Sequence, residues 1–211
     1  MIKKLLFIVL VLSLFSNKVN AQVESFEMGF KFGINVADIV GDDAKRFNPR
    51  TIVHVGLAAE VPINEYLALQ PELLYSFQGV KYDSEEPNFE KEILKLDYIY
   101  LPVMLKYYPF YVVPGFSIEV GPQVGYLASA VRQLKNNLNG AVEKSDIDVK
   151  EFYSEIDYAA NIGLGYQFEM GAFFQARYTI GLADITDIEG INNNDLNQQN
   201  SVFQLSVGVK F

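Results

Sequence analysis

Phe26-Glu27-Met28-Gly29-Phe30-Lys31-Phe32-Gly33-Ile34-Asn35 is the stretch on which the fold turns. Phe26, Met28, Phe30, Phe32 and Ile34 share one parity, and Glu27, Gly29, Lys31, Gly33 and Asn35 share the other. Side chains of a strand alternate between its two faces, so this stretch reads as a strand with one apolar face and one polar or small face. A helix would space its apolar residues three and four apart, which this stretch does not do.

The same alternation returns over 51–61, 67–78, 98–108, 116–128, 156–168, 172–182 and 201–211. Leu69, Leu73, Tyr75 and Phe77 oppose Gln70, Glu72, Ser76 and Gln78. Phe174, Ala176, Tyr178 and Ile180 oppose Gln175, Arg177 and Thr179. Each run has about the 9–11 residues that a tilted strand needs to cross a bilayer. Pro71, Pro102 and Pro122 fall inside runs, where a missing N–H costs a ladder bond, and are expected at bulges or strand starts.

The connections alternate in length. Long ones span 36–50, 79–93, 129–155 and 183–200, and short ones lie at Ile63–Tyr66, Pro109–Gly115 and Glu169–Gly171. Outer-membrane barrels carry long outer loops and short periplasmic turns, with an even strand number. The expected fold is therefore all-β: a transmembrane antiparallel up-and-down β-barrel of about eight strands with a polar, filled interior.

Parity alone fits a second fold, a soluble lipocalin-like barrel with the apolar face turned inward. The polar set favours the membrane reading. It holds Gly29, Gly33, Gly56, Gly121, Gly125, Gly163, Gly165, Gly181 and Gly208, small residues that a narrow interior needs. It also carries Glu27, Glu60, Glu72, Glu119 and Asp157 against Lys31, Lys106, Arg177 and Lys210. Enclosed charges must pair or suffer heavy desolvation, so this balanced set is expected to form a structural network in the lumen. Aromatics such as Tyr66, Tyr75, Tyr107, Tyr126, Phe168, Phe174 and Phe211 sit toward run ends, as interfacial girdles do.

The first segment reads as an export signal. Lys3 and Lys4 precede the apolar stretch Leu5 to Leu14, and Val19-Asn20-Ala21 offers a cleavage site before Gln22. Residues 1–21 are expected to be removed, leaving 22–211 as one barrel domain. The loss of Lys3, Lys4 and Lys18, with no acid, moves the formal charge from −9 to −12. An acidic chain argues against nucleic-acid binding. There is no cysteine, which excludes a disulfide framework, a thiolate nucleophile and a cysteine-ligated metal.

Several segments carry a family resemblance: Tyr98-Ile99-Tyr100-Leu101-Pro102-Val103, Glu119-Val120-Gly121-Pro122-Gln123-Val124-Gly125-Tyr126-Leu127, Ala176-Arg177-Tyr178-Thr179-Ile180-Gly181-Leu182 and Leu205-Ser206-Val207-Gly208-Val209-Lys210-Phe211. The chain resembles the PorT-type family, also called the outer membrane protein β-barrel domain, of Gram-negative bacteria. The resemblance implies the fold and an outer-membrane location. The terminal Phe211 resembles the signal read by the barrel-assembly machinery. The namesake's role in secretion is not carried over, because no segment separates that namesake from the broad family.

Chemistry beyond this is sparse. His54 is the only histidine; it reads as a hydrogen-bonded interior residue, with a rim hydrolase or acyltransferase as the competing reading. The acidic stretches Asp83-Ser84-Glu85-Glu86 with Glu90 and Glu92, and Asp184 to Gly190 with Asn192 to Asp195, could hold calcium, but their spacing is not that of an EF-hand loop. They read as solvated loops. No catalytic residue, metal or cofactor is expected. The expected partners are outer-membrane lipid, the assembly machinery and an extracellular or envelope protein, with the chain acting as a monomer. The competing function is a narrow small-solute channel, although a barrel of about eight strands is filled by its own side chains.

Overall fold

The computed structural model describes residues 26–41, 47–82, 89–109, 114–138, 141–186 and 197–211. The signal segment 1–21 lies outside these residues, as do Asp83 to Glu86 and Asp187 to Asp195 of the acidic loops.

The strands are β1 (Glu27–Gly41), β2 (Phe47–Asn64), β3 (Leu67–Tyr82), β4 (Phe89–Tyr107), β5 (Phe116–Leu138), β6 (Ala141–Asp148), β7 (Ile156–Gln167), β8 (Ala172–Gly181) and β9 (Gln198–Lys210). Neighbouring strands pair antiparallel in the order β4-β3-β2-β1-β9-β8-β7-β5, and β4 pairs with β5 to close the ring. The closed barrel thus has eight strands, and β6 pairs with the loop-end half of β5 outside the ring. Closure leaves the ring without an exposed edge, the condition for a sheet to sit in lipid.

The strands overrun the sequence-derived runs at one end. β1 and β2 reach across most of 36–50, β3 and β4 across most of 79–93, and β5 and β6 occupy most of 129–155. These segments are barrel wall rather than loop. At the other end the two turns that the structure describes throughout are tight, while 110–113 of the third lie outside the described residues. The Asn64 side chain accepts from the Tyr66 and Leu67 backbone N–H groups at 2.9 and 3.0 Å, and Gly171 turns β7 into β8 at a φ of +85°.

The three internal prolines are neither at bulges nor at strand starts, which corrects the expectation. Pro71 faces Val103, Pro102 faces Gln123 and Pro122 faces Ala160, and the register on either side of each is unchanged. They lie close together on three adjacent strands, where the ladder skips pairs without slipping. The β4–β5 register slips between Phe89 and Lys91 at the loop end, and again at Ala128, since Asp97 faces Ser129 while Tyr98 faces Leu127. Above Ala128 the inward parity of β5 changes, and Ala130 is buried.

The apolar parity faces outward. Phe32 is 63% exposed, Leu101 51% and Ile162 53%, whereas Lys31, Glu119 and Arg177 on the other parity are at 2% or less. This inversion of the usual inside-out order makes sense only when the surroundings are apolar. Aromatic rings gather in two belts. Tyr166, Phe168 and Phe174 form a ring chain near the short turns, with Phe30 against Phe211, and Tyr75 packs on Phe77 nearer the loop end.

Candidate functional site

Each lumen side chain is set by its strand's inward parity, so the charges meet because seven strands deliver them to one channel. Arg177 of β8 grips Glu72 of β3 with two N–H donors, Nη1 at 2.9 Å and Nη2 at 2.7 Å. Nη2 also lies 3.4 Å from Glu119 of β5. Lys31 of β1 donates to Glu72 at 3.1 Å and to Gln175 at 2.9 Å. Gln175 in turn donates to both Glu119 oxygens at 3.0 and 3.1 Å. Lys106 of β4 sits 3.6 Å from Glu119 and donates to Glu60 of β2 at 2.9 Å. Lys210 and Tyr108 also donate to Glu60.

The result is one unbroken column, Lys31–Glu72–Arg177–Glu119–Lys106–Glu60–Lys210. It sets four cations against three carboxylates. Glu27 supplies the fourth negative charge one step away. It is half-buried at the short-turn mouth and accepts from Gln167 at 2.9 Å, and Gln167 accepts from Lys210 at 2.9 Å. Charges this deep are tolerated only when paired and hydrogen-bonded throughout. The lumen glycines make the room. A Cβ on Gly165 would lie 2.5 Å from a Glu119 oxygen, and one on Gly125 would lie 2.2 Å from the Tyr100 ring.

Asp157 does not join the column, contrary to the sequence reading. It is at the loop end of β7, while the cations lie toward the short turns. Its donors are the Tyr100 hydroxyl at 2.7 Å and the Asn200 amide at 3.0 Å, with no ion pair among the described residues. His54 lies between the two regions. Its Nδ1 meets Asn35 Oδ1 at 2.6 Å and its Nε2 meets Ser206 Oγ at 2.8 Å. The Asn35 amide donates to Ser76 and to the Phe77 carbonyl, so its oxygen is the acceptor here. His54 therefore carries its proton on Nδ1 and accepts from Ser206. The order Ser–His–Asn is one that can activate a hydroxyl, but all three residues are at 4% exposure or less.

Above Asp157 the lumen turns apolar, a feature the sequence reading missed. Ile39, Val80, Leu94, Leu96, Tyr98, Tyr100, Leu127 and Ile185 form a buried cluster across the loop end, edged by Phe47, Tyr82 and Tyr153. Tyr98 and Tyr100 stack at 5.1 Å between centroids. The interior is thus a packed column, ionic below and oily above. At the short-turn end a cavity of about 990 Å³ opens between Glu27, Glu60, Glu65 and Glu169. Its inner wall is Glu60, which Lys106 and Lys210 hold. Among the described residues no group of three or more acidic or histidine side chains could hold a metal ion.

A closed eight-stranded wall with an apolar exterior and a charged, filled lumen defines a transmembrane β-barrel protein. The chain belongs to the outer membrane protein beta-barrel domain family, whose sequence profile matches residues 20–187. It is an outer-membrane protein. Among solved structures it is similar to Ail, the attachment invasion locus protein of Yersinia pestis, at 11% identity and a TM-score of 0.49, over 88% of this chain and 98% of that one. It is also similar to Neisserial surface protein A at 13% identity and a TM-score of 0.46, over 88% of this chain and 97% of that one. OprG of Pseudomonas aeruginosa shares 13% identity at a TM-score of 0.40, over 88% of this chain and 95% of that one. No curated protein matches the chain in sequence.

Proposed function

We propose that this is a non-enzymatic, monomeric outer-membrane barrel that does not conduct and whose work is done at its loop end, by contact with a partner or in support of the envelope. The observation that carries this reading is the packed lumen. A solute would have to break the Arg177–Glu72 fork and then part the apolar cluster around Leu96 and Tyr98. Export through removal of residues 1–21 and recognition of Phe211 by the assembly machinery belong to the same proposal. A PorT-type affiliation within the family is supported by the Gly121-Pro122-Gln123 and Arg177-Tyr178 segments.

Planar-bilayer recording of the purified protein tests the reading. The expected trace is silent, with no unitary steps at either polarity. Regular, saturating single-channel steps would overturn it in favour of the narrow-channel reading.

A further inference from the structure

The loop end carries a built pocket of about 310 Å³, in the low part of the range of about 300–1,000 Å³ usual for small-molecule sites. Four separate elements form it. Tyr82 ends β3, Glu92 and Leu94 come from β4, Arg132 from β5, and Val149, Phe152 and Tyr153 from the turn around Lys150–Phe152. Leu94 and Val149 are the buried floor. Three aromatic rings are the walls. Tyr82 is held edge-on by Phe47 at 4.9 Å, and Tyr153 is fixed by a bridge to Thr186. The turn is pinned by Val149 N–H to the Ala130 carbonyl at 3.0 Å and Ser154 N–H to the Ile185 carbonyl at 2.9 Å. Backbone bonds and ring packing thus hold the walls in place.

At its rim Arg132 and Glu92 form a two-point pair, Nη2 donating to Oε2 at 2.8 Å and Nε to Oε1. A guanidinium has five N–H donors and a carboxylate about four lone-pair sites, so both keep capacity in one plane. The pair is internally neutral. An anionic ligand group would meet Glu92, and a cationic one would meet Arg132. What fits is an uncharged ring with C–H faces for the aromatics and hydroxyls around its edge for the planar pair.

We propose that this pocket binds one uncharged pyranose unit of a glycan. Its ring stacks between Phe152 and the tyrosines, and vicinal hydroxyls bond to Glu92 and Arg132. The acidic composition of the chain disfavours sulfated or otherwise anionic glycans. The inference rests on the reading that the loop end is the working end.

The test is saturation-transfer NMR on the protein refolded in a sugar-free detergent. The probes are methyl glucoside, galactoside, mannoside and N-acetylglucosaminide, with a sulfated disaccharide as the anionic comparison. At least one neutral pyranoside is expected to bind, and binding is expected to fall about tenfold in Phe152→Ala. Glu92→Gln should weaken it as well. Phe152 is exposed and Glu92 partly so, and an unboiled gel shift verifies that each variant folds. The proposal is overturned if no neutral pyranoside binds, if both variants bind like the parent, or if only the sulfated sugar binds. A silent bilayer with no sugar binding would remove this proposal alone, whereas a conducting barrel would remove the packed-lumen reading whatever the sugars do.

Discussion

Arg177→Met will destabilise the barrel by about 3–5 kcal/mol, the usual cost of removing one partner from a buried ion pair. Arg177 is the hub of the column. It makes both bonds of the fork to Glu72 and reaches Glu119 at 3.4 Å. Methionine fills much of the same volume but leaves two enclosed carboxylates with only Lys31 and Lys106 to answer them. The measurement is urea unfolding in lipid vesicles, followed by the fraction of the fast-migrating unboiled band. Adding Glu72→Gln to Arg177→Met should recover part of the loss, since one stranded charge is then gone. The recovery will be incomplete, because Lys31 loses its charged partner. A single-variant loss under about 1 kcal/mol would mean that water reaches the column and shields it.

Leu101→Arg will cost about 2–4 kcal/mol in vesicles, the range for a cation on the lipid face near the midplane. Leu101 is 51% exposed and lies midway along β4 between Tyr107 and Asp97. The same change at Ile93, eight residues earlier in β4 and still on the outward parity, should cost under about 1 kcal/mol, because it lies above the aromatic belt and meets water. The contrast between two positions on one face of one strand reads out where lipid ends. Equal effects at both would move the boundary.

That boundary also explains what the sequence showed and what it hid. The alternation from Phe26 to Ile34 places β1 and its outward face correctly, and the other runs place the remaining ring strands. Within lipid the rule is constant, apolar out and polar in. Beyond lipid it inverts, because the exterior is water. Leu94, Leu96 and Tyr98 are then the inward residues, and Lys95 and Asp97 the outward ones. A search for one fixed parity stops there and reports a loop. For the same reason the apolar cluster went unseen, although Val80, Leu94 and Leu96 carry it in plain alternation. β6 was not legible because Ala141–Asp148 is largely polar and presents no apolar parity.

The lumen was legible in composition but not in pairing. Parity puts Glu60, Glu72, Glu119, Lys31, Lys106, Arg177 and Lys210 on the inner face. Which acid meets which base depends on the stagger between strands, and that is set by pairings such as Glu27 with Glu60 and Lys106 with Glu119. Asp157 shows the limit. It has the right parity but the wrong height, and it finds Tyr100 and Asn200 instead of a cation. The saccharide pocket was invisible for a stronger reason. Tyr82 and Glu92 face each other on neighbouring strands, but Arg132 and Tyr153 lie 40 or more residues further on and meet them only because β3, β4 and β5 rise together past the membrane.

The most direct test of the central claim is whether the protein needs an apolar solvent to fold. Denatured chain diluted from urea into lipid vesicles or detergent should give a strand-rich circular dichroism spectrum and a band that runs faster unboiled than boiled. Diluted into plain buffer it should aggregate, since Phe32, Leu101 and Ile162 would face water. A soluble, monodisperse, strand-rich protein in plain buffer would contradict the account, because the apolar parity would then have to line the inside.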